Sequence, residues 1–312
     1  MHIWQSIILG IIEGITEYLP ISSTGHLVVA QQLMGVGTAG PLDKAAADTF
    51  AICIQGGAIL AVLGLYLPHV KKMLLGMLGR DSEGIMMARN ILVGFLPAAV
   101  LGVLLNDLID AKLMFLGPII FAWFIGGVGI IAVCAWKKKH PAADGGKSLL
   151  SMTWKMALLI GLLQCIAMWP GTSRSLMTIV GGLIVGLSVK AAVEYSFLLG
   201  VLTLTAATAK KAVWKVDGLP EYNHWFGGMD LLTNHYGIAP TVVGMIAAAI
   251  SAALAVKWLV SYLQRHGLEI FGWYRIVAAL IVAVLVWRGM ITNEGLQSTP
   301  APTTTLNSTH FP

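Results

Sequence analysis

The sequence predicts an all-α polytopic membrane protein: six transmembrane helices plus two re-entrant helix hairpins in an inverted repeat. Three observations carry this reading. Of 312 residues, 57% are hydrophobic and 11% charged, with a mean hydropathy of +0.79, whereas soluble domains carry about 25% charged residues. Six apolar stretches reach the roughly 20 residues that a helical span needs. Two more are each interrupted by a polar island, and each of these is followed by three uninterrupted spans.

The first hairpin, 3–35, is split by Glu13, Glu17, Pro20 and the run Ser22-Ser23-Thr24-Gly25-His26. Spans follow at about 50–67, 90–106 and 113–136. The second hairpin, 154–188, is split by Pro170 to Ser175, and spans follow at about 192–209, 240–262 and 273–290. Irregular backbone at membrane depth is tolerated only when buried in protein or lining a wet cavity. The two broken segments also resemble each other. Gly10-Ile-Ile-Glu13 matches Gly161-Leu-Leu-Gln164, and Tyr18 to Ser23 matches Trp169 to Ser173 with one residue dropped. An odd number of crossings separates the hairpins, so they enter from opposite faces; such folds place their sites where the broken helices meet. The expected units are 1–140, 141–292 and a Thr/Ser/Pro-rich tail, 293–312, that reads as disordered.

Loop charges set the orientation. Lys71, Lys72, Arg80 and Arg89 form one basic loop, and Lys137, Lys138, Lys139 and Lys147 another. The positive-inside rule places both in the cytoplasm, which puts the termini and the first hairpin outside. Lys210, Lys211 and Lys215 then fall outside, against the rule. The long loop 211–239, with Trp214, Tyr222, Trp225 and Tyr236, reads as an interfacial anchor. The net charge of +5 suits membrane orientation and an anionic substrate better than nucleic acid. Cys53, Cys134 and Cys165 are isolated in apolar runs and suggest neither a disulfide framework nor a metal cluster. The N-terminus lacks a basic leader, and no cleavable signal peptide is expected.

Ionisable groups within membrane segments are costly and point to function. Glu13 and Glu17 share a helix face at a spacing of four. Such a pair needs a cation, an arginine or a retained proton. Oxygen ligands favour Mg²⁺ or Ca²⁺, held by Glu13 and Glu17; the alternative is two glutamates lining a transporter cavity. Ser23 and His26, three apart, suit a nucleophile with its base, or else a turn cap and a structural histidine. Pro170-Gly171-Thr172-Ser173-Arg174-Ser175 joins a flexible turn, hydroxyls and a guanidinium at a helix start, the features of a phosphate cradle. Arg174 pairing with Glu13 or Glu17 is compatible with that role. Together these groups suit phosphoryl transfer. Catalytic candidates are Glu17, Ser23, His26 and Arg174; substrate-binding candidates are Ser22, Gly171, Thr172, Ser173, Arg174 and Ser175.

The run Glu13-x-x-x-Glu17 with Pro20-x-Ser-Ser-Thr-Gly-His26, together with Pro170-Gly-Thr-Ser-Arg174-Ser, resembles the undecaprenyl pyrophosphate phosphatases, also known as bacitracin-resistance proteins. Phe50 to Leu60, Glu194-Tyr-Ser-Phe and Phe271-Gly-Trp-Tyr-Arg275 extend the resemblance to about residue 290. Leu176 departs from the glycine common in the family. The resemblance implies removal of the terminal phosphate of undecaprenyl diphosphate within the bacterial cytoplasmic membrane, which recycles the carrier lipid for peptidoglycan synthesis. It further implies a divalent cation, a homodimer, and site roles for Glu13, Glu17, Ser23, His26 and Arg174. The competing class is a polyprenyl phosphate transporter that uses the same inverted-repeat cavity.

Overall fold

The computed structural model of the protein describes residues 1–139, 145–213, 216 and 219–292. Twelve α-helices lie among them. A broken pair, α1 (Ile3–Tyr18) and α2 (Ser23–Leu33), leads into α3 (Pro41–Leu65), α4 (Leu67–Met77), α5 (Ser82–Leu113) and α6 (Leu116–Lys139). A second broken pair, α7 (Trp154–Ile166) and α8 (Arg174–Ile184), leads into α9 (Val189–Val213), α10 (Gly227–His235), α11 (Ile238–His266) and α12 (Glu269–Trp287). Helices α3, α5, α6, α9, α11 and α12 are long and apolar enough to cross a bilayer. They turn large apolar side chains outward, among them Leu60, Val103, Leu104, Ile250 and Leu254. Side chains of this kind, contiguous around the molecule, suit lipid rather than water. The chain is a multi-pass membrane protein.

Several elements are longer than the apolar pattern indicates. Helix α3 starts at Pro41, not near residue 50: the proline is pre-set for a first helical turn, Asp43 complements the dipole, and Lys44 bonds to Asp48. Helix α5 starts at Ser82, where the Asp81 carboxylate accepts from the Gly84 N–H at 2.7 Å. Hydropathy sees only the greasy part of a helix, whereas caps and ion pairs extend it. The stretch 211–239 is also not wholly loop. It holds a short 3₁₀ turn, Pro220–Tyr222, and α10; Trp214, Lys215 and the tail 293–312 lie outside the described residues. Tyr236, just past α10, and His235 both donate to the Asp43 carboxylate, at 2.8 and 3.0 Å, which ties this segment to α3. Burial, with that carboxylate, pushes the Tyr236 phenol above its ordinary range.

The broken pairs are seated crosswise. Helix α1 lies against α11 and α7 against α5. Both crossings are too close for a side chain: a Cβ on Gly10 would overlap the Gly244 carbonyl oxygen, and one on Gly161 that of Gly94. Each break is a short turn ending in a serine at positive φ, Ser22 (72°) and Ser173 (79°), directly before α2 and α8. Backbone of this kind costs about 1–3 kcal/mol per residue and persists where the surroundings dictate it. One constant offset relates Gly10 to Gly161, Glu13 to Gln164 and Ser22 to Ser173. This corrects the expected match with one residue dropped. The shared backbone conformation, not the prolines, sets the register, and Pro20 corresponds to Gly171.

Arg275 of α12 holds the two turns side by side. Its side chain is fully buried, and its guanidinium donates to four backbone carbonyls: Ala122 (2.8 Å) and Trp123 (3.3 Å) of α6, Pro20 (3.4 Å) of the first turn and Gly171 (2.9 Å) of the second. Arg275→Met removes the charge and takes the guanidinium donor from the Pro20 and Gly171 carbonyls of the turns, at about 1–3 kcal/mol for each buried group left unpaired. The expected result is a lower melting temperature in detergent and a disproportionate loss of activity, because both breaks lose their common support.

Candidate active site

The turns bring Glu17, Ser23 and Arg174 together. The Glu17 carboxylate, 7% exposed at the end of α1, accepts on both oxygens. Oε2 takes the Ser23 hydroxyl at 2.6 Å and the Gln55 amide at 3.3 Å; Oε1 takes Arg174 Nη2 at 3.1 Å. Arg174 Nη1 donates to the Ser196 carbonyl at 3.0 Å, and the guanidinium lies over the Tyr18 ring, 5.5 Å from its centroid. Its Nε is buried without a partner. Thus two oppositely charged groups, far apart in the chain, share one bond beside a hydroxyl.

These groups open onto a cavity of about 320 Å³. Glu17, Ser22, Ser23, Thr24, Gln55, Gly171, Ser173 and Arg174 supply polar lining, and Ile109, Met114, Met168 and Leu204 the apolar wall. A headgroup cavity with a greasy flank suits an amphipathic anion. Gly200 of α9 makes room for the arginine: a Cβ there would run into the Arg174 guanidinium. Gly200→Ala is expected to leave the helices intact and displace that charge. An ångström of misplacement costs about 10²-fold in rate, so turnover should fall to that extent while thermal stability changes little.

Other sequence candidates take different places. Ser173 caps α8, its hydroxyl accepting from the Leu176 N–H at 3.2 Å, and it bonds to Ser175 at 3.0 Å. Ser175 is fully buried and donates to the Leu19 carbonyl at 2.8 Å, so it fastens the second turn to the first and does not line the cavity. Thr172 is also buried away from the lining. The expected Ser23–His26 hydrogen bond is absent. His26 Nδ1 meets the Ser22 carbonyl at 2.7 Å, Nε2 meets the Tyr274 hydroxyl at 2.7 Å, and the ring packs on Trp123 and Tyr274. Ser23 opens α2 and its hydroxyl reaches back to α1 instead.

Glu13 sits one turn before Glu17, 1% exposed, with both carboxylate oxygens lacking a hydrogen-bond partner. Unpaired hard oxygens beside Glu17 fit a divalent cation. No group of three or more His, Cys, Asp or Glu with metal-binding geometry occurs among the described residues. What the described residues offer a cation here is two carboxylates, Glu13 and Glu17. Gln55, Ser196 and Tyr274 lie in stretches that carry the family resemblance but received no site role there, and Gly200 received none either. A glutamine in an otherwise greasy span was the available signal for Gln55; the others are visible only in three dimensions.

A family model for the bacitracin resistance protein BacA matches residues 6–281. The chain belongs to this family. Relatives agree over nearly their whole length. The chain is 41% identical to undecaprenyl-diphosphatase 2 of Rhodospirillum rubrum, over 92% of this chain and 96% of that one. It is 39% identical to the undecaprenyl-diphosphatase of Acidovorax ebreus at the same coverage. It is likewise 39% identical to undecaprenyl-diphosphatase 1 of Chromobacterium violaceum, over 93% of this chain and 98% of that one. The match to the BacA family begins in the first turn of α1, covers both breaks and the first five long apolar helices, and ends within the sixth, α12.

Proposed function

We infer that this protein hydrolyses undecaprenyl diphosphate to undecaprenyl phosphate and inorganic phosphate, recycling the carrier lipid of peptidoglycan synthesis. The observation that carries this is the Glu17 carboxylate shared by Ser23 and Arg174 at the mouth of a half-apolar cavity. In the mechanism, Arg174 leaves Glu17 for the terminal phosphate, aided by the backbone around Gly171 to Ser175 and by Ser22. Ser23 Oγ attacks phosphorus in line and passes its proton to Glu17, to which it is already bonded. The bridging P–O bond breaks, undecaprenyl phosphate leaves, and water hydrolyses the phosphoserine with Glu17 as base. His26 supports the Ser22 turn in this scheme; it is not the base for Ser23. A divalent cation would be held by Glu13 and Glu17 and would neutralise charge on the diphosphate.

The broken pairs are read as re-entrant, with units 1–140 and 141–292 inverted about the site. The enzyme sits in the cytoplasmic membrane, works as a homodimer and opens to the exterior. Support for the orientation comes from the basic ends: Lys137, Lys138 and Lys139 end α6, while Met114, just before α6, lines the cavity. Phosphate release from undecaprenyl diphosphate by purified protein tests the activity and separates an enzyme from a carrier. Release should cease with chelator and return with Mg²⁺ or Ca²⁺, and Glu13→Gln should raise the cation concentration required. In sealed, oriented vesicles, hydrolysis should occur when substrate is supplied from the exterior face; hydrolysis from the cytoplasmic face alone reverses the orientation.

A further inference from the structure

A second cavity, about 200 Å³, lies at the opposite end of α6. Val133, Leu183 and Val189 give it an apolar side, and Lys137, Lys138 and His266 a basic one. Glu269 also lines it, bonded to Lys138 at 2.6 Å. That leaves one acid for two lysines and a histidine. Lys137 is half-buried, and no carboxylate among the described residues pairs with it. Lys139 and Arg265, both exposed, add charge at the rim.

The position is as telling as the chemistry. Helix α6 ends at Lys139, α11 at His266, and α12 starts at Glu269. The cavity therefore lies at the shared ends of three long apolar helices, the level at which lipid headgroups meet a span. Met114 of the catalytic cavity and Lys137 of this one are roughly 35 Å apart along the helix axis, at about 1.5 Å per residue. Basic pockets between spans at this depth suit phospholipid headgroups.

We propose that this cavity binds the phosphate of an anionic glycerophospholipid, with Lys137 and His266 on the phosphate and an acyl chain along Val133, Leu183 and Val189. The lipid is distinct from the substrate, lies on the other face, and holds the α6 end against the α11–α12 turn.

The test is native mass spectrometry of the full chain in detergent, titrated with phosphatidylglycerol, phosphatidylcholine or inorganic phosphate. The chain carries Arg174→Ala, so that the catalytic cavity does not compete for lipid phosphate. The expected result is one saturable phosphatidylglycerol per chain, weakened about tenfold or more by Lys137→Gln, the scale of one lost charge-assisted contact. Lys71→Gln, on another basic segment, should have no such effect, and phosphatidylcholine should not saturate. Equal binding after Lys137→Gln, an equal loss with Lys71→Gln, or equal uptake of phosphatidylcholine overturns the proposal. Uptake of inorganic phosphate as tight as that of lipid overturns the lipid assignment. If Lys137→Gln does not fold, His266→Gln gives the same reading. Loss of the lipid with Arg174→Ala alone, measured against the unmodified chain, would place it in the catalytic cavity and also overturn the proposal. Phosphate release is not the readout, so the result stands apart from the proposed activity.

Discussion

Arg174→Ala is expected to lower kcat/KM for phosphate release about 10²- to 10³-fold, since removing one preorganised electrostatic donor costs about 2.7–4 kcal/mol. Among the described residues the guanidinium is the cation paired with the Glu17 carboxylate, at 3.1 Å, and it is cradled by the Ser196 carbonyl and the space at Gly200. Its loss also leaves Glu17 without its positive partner. Arg174→Lys should recover only part of the rate, because an ammonium cannot reproduce two-pronged contact with phosphate oxygens. Activity within a few-fold of the unmodified protein would remove the arginine from the reaction.

Ser23→Ala should be the more damaging change. If the hydroxyl carries the phosphoryl group, its removal leaves positioning and charge only, and loss of a nucleophile that acts in concert with its partners costs about 10³-fold or more. Rapid quenching of the unmodified enzyme with labelled substrate should trap a phosphate on Ser23. Robust turnover by Ser23→Ala, with no trapped intermediate, transfers the attack to water activated by Glu17. Glu17→Gln does not separate the two: it should abolish both routes, since the same carboxylate accepts the proton in each.

The sequence exposed much of this site because polar residues in greasy segments are conspicuous. Glu17, Ser23 and Arg174 stood out for that reason alone, and the structure places them in contact. The same signal was present at Gln55, where a span masked it. Spacing misled at His26. Three residues along a helix gave it reach to Ser23, but aromatic neighbours on α6 and α12 hold the ring elsewhere. Arg275 could not be understood from sequence, because its partners are carbonyls, which every residue possesses. The six long helices followed from hydropathy. Helices α4 and α10 did not, being short and shaped by their neighbours rather than by an apolar run.

The location of Arg275 has a consequence for biogenesis. A ribosome that has made residues 1–274 has already delivered every acid, hydroxyl and base of the reaction, yet the brace that clamps the two bends is still to come. The two bends therefore gain their shared support only once the last span has been made.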